Sequence, residues 1–201
     1  MSDPLKKVLS EIRACRICRD QPARKPLPHE PNPVLRVSRS ARICIIGQAP
    51  GTRVHQSGTP FTDPSGDRLR DWMGVDSDFF YDEAKVAIIP MGFCFPGLDA
   101  KGGDLPPRPE CARAWRPRLF EALPDFDLTL LIGQYAQKYH LPGGMPGTLT
   151  ETVSRWRDYA PRYLPMPHPS WRNNAWLKKN PWFAAELLPY LRDRIDRIRS
   201  S

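Results

Sequence analysis

Three groups of residues in this chain have types and spacings suited to chemistry. His168-Pro169-Ser170 runs directly into Trp171, Arg172, Asn173 and Asn174. A residue before proline is confined to extended backbone, so the imidazole is aimed rather than free. The same short loop offers an indole to stack or wedge, a guanidinium for a phosphate, and amide donors. A lone loop histidine is more often a surface residue; its neighbours single this one out. Gly47-Gln48-Ala49-Pro50-Gly51 is a turn of small residues whose backbone N–H groups can approach a flat ligand or a phosphate closely. Gly58-Thr59-Pro60-Phe61 then places an aromatic ring in a loop, and every nucleobase has a π-face for it to stack on. The third group is the cysteines. Cys15 and Cys18 form a C-x₂-C pair, Cys94 and Cys111 follow later in the chain, and four thiolates can close a zinc site or hold an iron–sulfur cluster. Cys44, inside the apolar run Ile43–Ile46, reads as a buried core thiol.

The elements that must position these residues follow from periodicity. Arg42 to Gly47, Lys85 to Ile89 and Leu128 to Ile132 are short, nearly continuous apolar runs, the pattern of strands buried on both faces. Arg162 to Met166 reads as a fourth, edge strand, because Pro165 cannot donate to a ladder. Helices are expected over residues 4–14, over 65–73 with Ser65 as N-cap, over 110–122, after Gly133, and over 182–199. In the last of these, Phe183, Leu187, Leu191 and Ile195 recur every four residues, and Arg192, Arg194, Arg197 and Arg199 line the polar side. Alternating strands and helices imply an α/β fold: a three-layer α/β/α sandwich around a central, mainly parallel four-stranded sheet. In such sheets ligands bind beyond the carboxyl ends of the strands, which would bring the loops Gly47–Gly66 and His168–Asn174 to one rim.

The chain of 201 residues suits one domain, residues 1–201, with an N-terminal arm over 1–40. Its 24 prolines imply many rigid loops, and its net charge of +8 favours an anionic partner, nucleic acid first. No apolar run is long enough to span a bilayer, and the charged N-terminus lacks the apolar stretch of a signal peptide. A cytoplasmic, reducing setting is the expectation, with the cysteines serving as ligands or buried thiols rather than disulfides.

Taken together these motifs resemble the uracil-DNA glycosylases, most closely the family 4, iron–sulfur type of bacteria and archaea. That family carries a GEAPG-like first motif, a GRPFVGRAG-like aromatic loop ending at the position of Gly66, and a second motif of the form HP-S/A. The resemblance covers roughly residues 12–195, and the four cysteines fall in the family's order. It implies the α/β/α fold, DNA containing uracil or another damaged base as partner, and a 4Fe–4S cluster on Cys15, Cys18, Cys94 and Cys111, with zinc as the alternative. It places Phe61 as the stacking aromatic, His168 beside the base carbonyl, and Gln48 in the slot of a glutamate beside the water. Gly47, Ala49, Pro50, Gly51 and Ser170 complete the expected base pocket, and Trp171, Arg172 and Asn173 the DNA contacts. A monomer and no membrane association are expected.

Several positions depart from that pattern. Gln48 is neutral and a poor general base. An acidic pair after the first motif is replaced by Arg53, Val54 and His55. The asparagine that reads the base edge aligns with Pro90, which has neither amide nor N–H. The Arg-Arg-Ile-His run of the subgroup that traps DNA covalently is absent between Cys94 and Cys111. Excision would then rest on fixed donors to the departing base, His168 and the amides of the 47–51 turn, with Gln48, His55 and Asp63 as candidates to hold the water. Two other readings compete: a non-catalytic DNA-damage-binding protein with the same fold, and an enzyme on free nucleosides.

Overall fold

The computed structural model describes residues 3–201. Its elements in chain order are α1 (Pro4–Arg13), α2 (Ile17–Asp20), β1 (Ile43–Ile46), α3 (Thr52–Ser57), α4 (Pro64–Met73), α5 (Ser77–Tyr81), β2 (Val86–Ile88), α6 (Pro109–Glu121), β3 (Leu128–Ile132), α7 (Gln134–His140), α8 (Leu149–Ser154), β4 (Tyr163–Met166), α9 (Asn174–Lys179) and α10 (Leu188–Ser200). A π turn, Phe183–Leu187, leads into α10. Among the described residues no helix is long and apolar enough to cross a membrane.

The four strands form one parallel sheet in the order β2-β1-β3-β4. Side chains of a strand alternate between faces, and here both faces are covered. Ile43 and Ile45 of β1 join one core with Leu69, Trp72, Phe80, Phe183, Leu187 and Leu191. Cys44 and Ile46 join the other with Ile12, Trp115, Leu119 and Ala136. Helices on both sides make the apolar runs of the strands continuous rather than alternating, and Cys44 is a core residue with no accessible surface. β4 lies at the edge, with Pro165 opposite Leu131. The four-residue repeat of the last helix is buried as expected, Phe183, Leu187, Leu191 and Ile195 each being at most 1% exposed.

Two boundaries differ from expectation for local reasons. Helix α4 has Asp63, not Ser65, at its N-cap position, with no side-chain capping bond, because Pro64 occupies the first helical position, where its missing N–H is no loss. The 168–174 loop is shorter than expected: Trp171–Asn173 form a 3₁₀ turn that runs into α9.

Arg116 of α6 is 1% exposed and has no carboxylate beside it. It donates to the carbonyl of Pro90 at 2.9 Å and to His140 Nε2 at 3.0 Å, and its guanidinium packs on the Phe120 and Tyr139 rings at 5.0 and 5.4 Å. Burial, and then this neighbouring cation, depress the pKa of His140 to about 3. The neutral ring is the acceptor the guanidinium needs. The folded pKa lies below the unfolded value of 6.5, so the unfolded chain takes up the proton first as pH falls. Stability is therefore full above that value and declines below it, by about 1–2 kcal/mol at about pH 5 once partial exposure is allowed for. A His140→Gln variant, which keeps an acceptor but cannot titrate, is expected to lose that part of the acid slope in urea melts compared between about pH 8 and about pH 5.

Candidate active site

The carboxyl ends of the strands open onto a cleft of about 660 Å³. It is lined by the whole turn from Gly47 to Gly51, by Phe61 and Asp63, by Pro90, by Asp104, and by the run from His168 to Asn173. The turn follows β1, Pro90 follows β2 and His168 follows β4, so the parallel sheet itself brings these segments together.

The first turn is pinned from outside. Met91 N–H donates to the Gly47 carbonyl at 2.9 Å, and Gly92 N–H to the Gln48 carbonyl at 3.0 Å. Gln48 Nε2 reaches the Leu105 carbonyl at 3.4 Å, which ties the turn to the hairpin that carries Asp104.

Phe61 is the one non-glycine residue of the described chain with positive φ, at 56°. A left-handed residue with a bulky side chain costs about 1–3 kcal/mol, and the surrounding structure enforces it. The Tyr81 hydroxyl donates to the carbonyls of Pro60 and Phe61, each at 3.0 Å. The Phe61 carbonyl sits directly over Gly66, where a Cβ would lie 1.8 Å from that oxygen. The ring ends between Phe80, at 6.0 Å edge-to-face, and Gly47. The result is an aromatic face fixed across the mouth of the glycine turn.

His168 is half-buried in the cleft. Burial holds its imidazole below the ordinary pKa, against the upward pull of Asp63 and Asp104. Asn173 Nδ2 donates to its backbone carbonyl at 2.7 Å, and Arg68 holds the loop through the Ser170 carbonyl at 3.1 Å and Asn174 Oδ1 at 2.9 Å. The Ser170 hydroxyl accepts from Arg172 N–H at 3.2 Å, which leaves its own proton free to donate. Trp171 is 72% exposed at the rim, with the Arg172 guanidinium 5.9 Å from its ring.

Of the residues singled out by sequence, Gln48, Phe61, Asp63, His168, Ser170, Trp171 and Arg172 come together here. His55 does not line the cleft; its ring packs against His29 at 4.2 Å and Phe95 at 5.9 Å. The reason is helix α3, whose first turn carries Val54 inward and His55 toward the 29–32 segment, where Asn32 Nδ2 bonds the His55 carbonyl at 2.7 Å. Asn173 lines the cleft but its amide is engaged within its own loop. None of the α10 arginines lines it: Arg192 caps the carbonyls of Asp71 and Trp72, Arg194 bonds the Asp127 carbonyl, and Arg197 and Arg199 pair with Asp193 and Asp196. Sequence reasoning missed Arg68 and Asp104. The signal for Asp104 was its loop, which starts one residue after Cys94 and is bracketed by glycines.

The four cysteines line a second, smaller cavity on the opposite side of residues 90–94. Each sulfur faces an N–H group. Trp115 Nε1 donates to Cys15 at 3.2 Å and Phe93 N–H to Cys111 at 3.4 Å, while Arg108 faces Cys18 and the backbone of Asn32 faces Cys94. Burial pushes the Cys18 thiol up to about 11, Cys94 up to about 12, and Cys111 further still. Such thiols ionise only with a cationic partner among them, and donors aimed at sulfur suit ligated thiolates. Among the described residues no group of three or more His, Cys, Asp or Glu is arranged to hold a metal ion.

Gly66→Ala tests the strained loop. On an ordinary helix this change stabilises by about 1 kcal/mol. Here the new methyl meets backbone, so the expectation is the opposite sign, a loss of about 1–3 kcal/mol in thermal or urea melts.

Comparison with known proteins agrees with this geometry. The family model described as Uracil DNA glycosylase superfamily matches residues 36–192. Two solved structures are similar at low identity. One is a proposed uracil DNA glycosylase from Methanosarcina acetivorans, 16% identical, covering 79% of this chain and 93% of that one with a TM-score of 0.46. The other is SMUG2 of Pedobacter heparinus, 15% identical, covering 80% of this chain and 75% of that one with a TM-score of 0.38. The match to the family model spans most of the chain, from before the glycine turn to beyond the His168–Asn173 run: this protein belongs to the uracil DNA glycosylase superfamily.

Proposed function

We propose that this protein is a DNA glycosylase that hydrolyses the N-glycosidic bond of uracil or a related deaminated base in DNA, and so initiates base excision repair. The observation that carries the reading is the convergence, in one cleft of a superfamily member, of an aromatic face, a glycine turn and a buried neutral histidine.

A base turned out of the stack would lie on Phe61, against the turn that no side chain at Gly47 or Gly51 obstructs. Bond cleavage leaves negative charge on the base. A neutral imidazole can donate to that charge through one N–H without drawing a counter-charge of its own, and one such preorganised donor supplies about 2.7–4 kcal/mol. The Ser170 hydroxyl is placed to read a base edge, a role Pro90 cannot fill. On this reading Trp171, exposed at the rim, would fill the gap a flipped base leaves and Arg172 would bind a phosphate, offsetting a flipping cost of a few kcal/mol.

The cysteine site is read as holding a 4Fe–4S cluster on Cys15, Cys18, Cys94 and Cys111. The reading is supported by the four thiols lining one cavity, with N–H donors facing their sulfurs; zinc is the alternative. The group's contribution would be structural, joining the N-terminal arm to α6 and the segment after β2. A cytoplasmic location accords with five unpaired cysteines.

The neutral Gln48 and the outward His55 favour one rival, a damage-binding protein without turnover. Single- and double-stranded oligonucleotides carrying one uracil, hypoxanthine, xanthine or 5-hydroxymethyluracil separate the two when scored for alkali-labile abasic sites. The expected result is cleavage at one or more of these bases, slowed about 10²–10³-fold by His168→Ala. Tight binding to damaged DNA with no cleavage by the folded, iron-loaded protein would establish the rival. For the cofactor, anaerobically purified protein should contain iron and acid-labile sulfide. Cys111→Ser should lose both and melt at lower temperature.

A further inference from the structure

The first turn of this chain lacks a carboxylate: Gln48 is neutral, and Thr52, Arg53, Val54 and His55 supply no acid after it. The structure delivers one from another loop. Asp104 sits on a hairpin whose ends are joined by Leu105 N–H to the Gly97 carbonyl at 2.9 Å and by Asp99 N–H to the Gly103 carbonyl at 2.8 Å. The Asp99 carboxylate accepts from Lys101 and Gly103 N–H at 2.8 and 2.9 Å, and Gly97 and Gly102 take the positive φ values that the bends require. The hairpin is therefore rigid at its tip.

That tip points at the glycine turn. A Cβ built on Gly51 would lie 3.5 Å from Asp104 Oδ2, so the carboxylate rests against the turn's backbone. The Gln48 amide, bonded to the carbonyl of the next residue, Leu105, holds the two loops in register. The charged neighbours of Asp104 are Arg172, His168, Asp63 and Asp99, and no hydrogen bond occupies its oxygens. Partial burial raises its pKa above the ordinary carboxylate value, against the opposing pull of Arg172 and His168 and with the help of Asp63 and Asp99, which moves it toward a useful base.

We propose that Asp104 is the catalytic carboxylate of this site, positioning and deprotonating the water that attacks the sugar and opposing the positive charge that develops there. The inference rests on the glycosylase reading. In the step, the C1′–N bond breaks and its electron pair leaves on the base. A water oxygen bonds to C1′, and its proton passes to an Asp104 oxygen and then to solvent. The base anion takes up one proton from solvent. Hydrolysis is balanced with no further reagent. Gln48 is then a positioning residue, tethering the hairpin that carries the acid.

Asp63 is the competing carboxylate. It also lines the cleft, and it heads α4 without using its side chain as a cap. The rim contact with Gly51 and the Gln48 tether place Asp104, not Asp63, on the first turn.

The test has one arm that needs no turnover. DNA carrying a cationic 1-azaribose abasic mimic is compared with DNA carrying the neutral tetrahydrofuran mimic. The wild-type protein should prefer the cation by about tenfold or more, since opposite charges a few ångströms apart in a partly shielded cleft attract at least that strongly. Asp104→Asn should reduce the preference to within about threefold, Asp104→Glu should keep part of it, and Asp63→Asn should keep most of it. In single-turnover excision Asp104→Asn should slow release about 10²-fold or more with DNA affinity unchanged. No preference in the wild type, a preference surviving in Asp104→Asn, or loss confined to Asp63→Asn would overturn the proposal. Failure of the wild type to release any base would instead count against the glycosylase reading, while the binding arm still decides the role of Asp104.

Discussion

Two backbone hydrogen bonds, from Met91 N–H to the Gly47 carbonyl and from Gly92 N–H to the Gln48 carbonyl, organise the functional half of this molecule. They carry the pairing of the two neighbouring strands past their regular ends. The glycine turn after the first strand thereby becomes continuous with the segment after the second. That segment has two faces. Pro90 lines the cleft, while Gly92, Phe93 and Cys94 line the cysteine cavity. Buried Arg116 fixes it from below by donating to the Pro90 carbonyl. A change in either cavity is thus transmitted through the short bent segment from Pro90 to Cys94. The loop that leaves Cys94 carries the Asp104 hairpin and returns to the helix that holds Cys111. Ligation of those two thiols would close this loop at both ends, and closing a loop removes freedom its tip would otherwise keep.

The sheet was legible because burial on both faces leaves an unmistakable pattern. Ile43–Ile46 is apolar at every position and Leu128–Ile132 at every position but Thr129, which is itself buried, and a strand covered by helices on each side accounts for runs that short and that uniform. Strand polarity alone then puts Gly47 and His168 at one rim. What was not legible depended on contacts between distant loops. Nothing around His55 in sequence indicates that Asn32 and His29 will draw it away from the cleft. Asp104 lies in a stretch of glycine and proline without periodicity, and its approach to Gly51 depends on a hairpin closed by Asp99 and on the side chain of Gln48. The start of the fourth helix differs from expectation because Asp63 and Ser65 are equivalent caps by type, and the proline between them sets where the helix begins.

Electrostatics in the cleft are arranged by exclusion as much as by attraction. The chain carries a net charge of +8, yet the cleft holds two carboxylates, and its histidine is kept neutral by burial. A protonated His168 would sit beside Arg172 and lose the single directed N–H that a developing anion needs. The carboxylates pull its pKa upward, but burial outweighs them. The same logic operates in the interior, where His140 stays neutral so that Arg116 has an acceptor. In both places a histidine near an arginine is held in its uncharged form, in one case to serve a guanidinium and in the other to serve a ligand.

Phe61 shows where the fold stores strain for this arrangement. An ordinary loop would relax a phenylalanine out of the left-handed region, and here two tyrosine hydrogen bonds and the close seat over Gly66 prevent it. The strain is local, while the forces opposing it come from the helical layer behind the cleft, since Tyr81 belongs to the fifth helix and Gly66 to the fourth. A base stacking on Phe61, as proposed, would meet a ring that has already been oriented by the core. The entropy of fixing the platform is lost at folding rather than at binding, and that preorganisation leaves more of the stacking energy to hold a base outside the duplex.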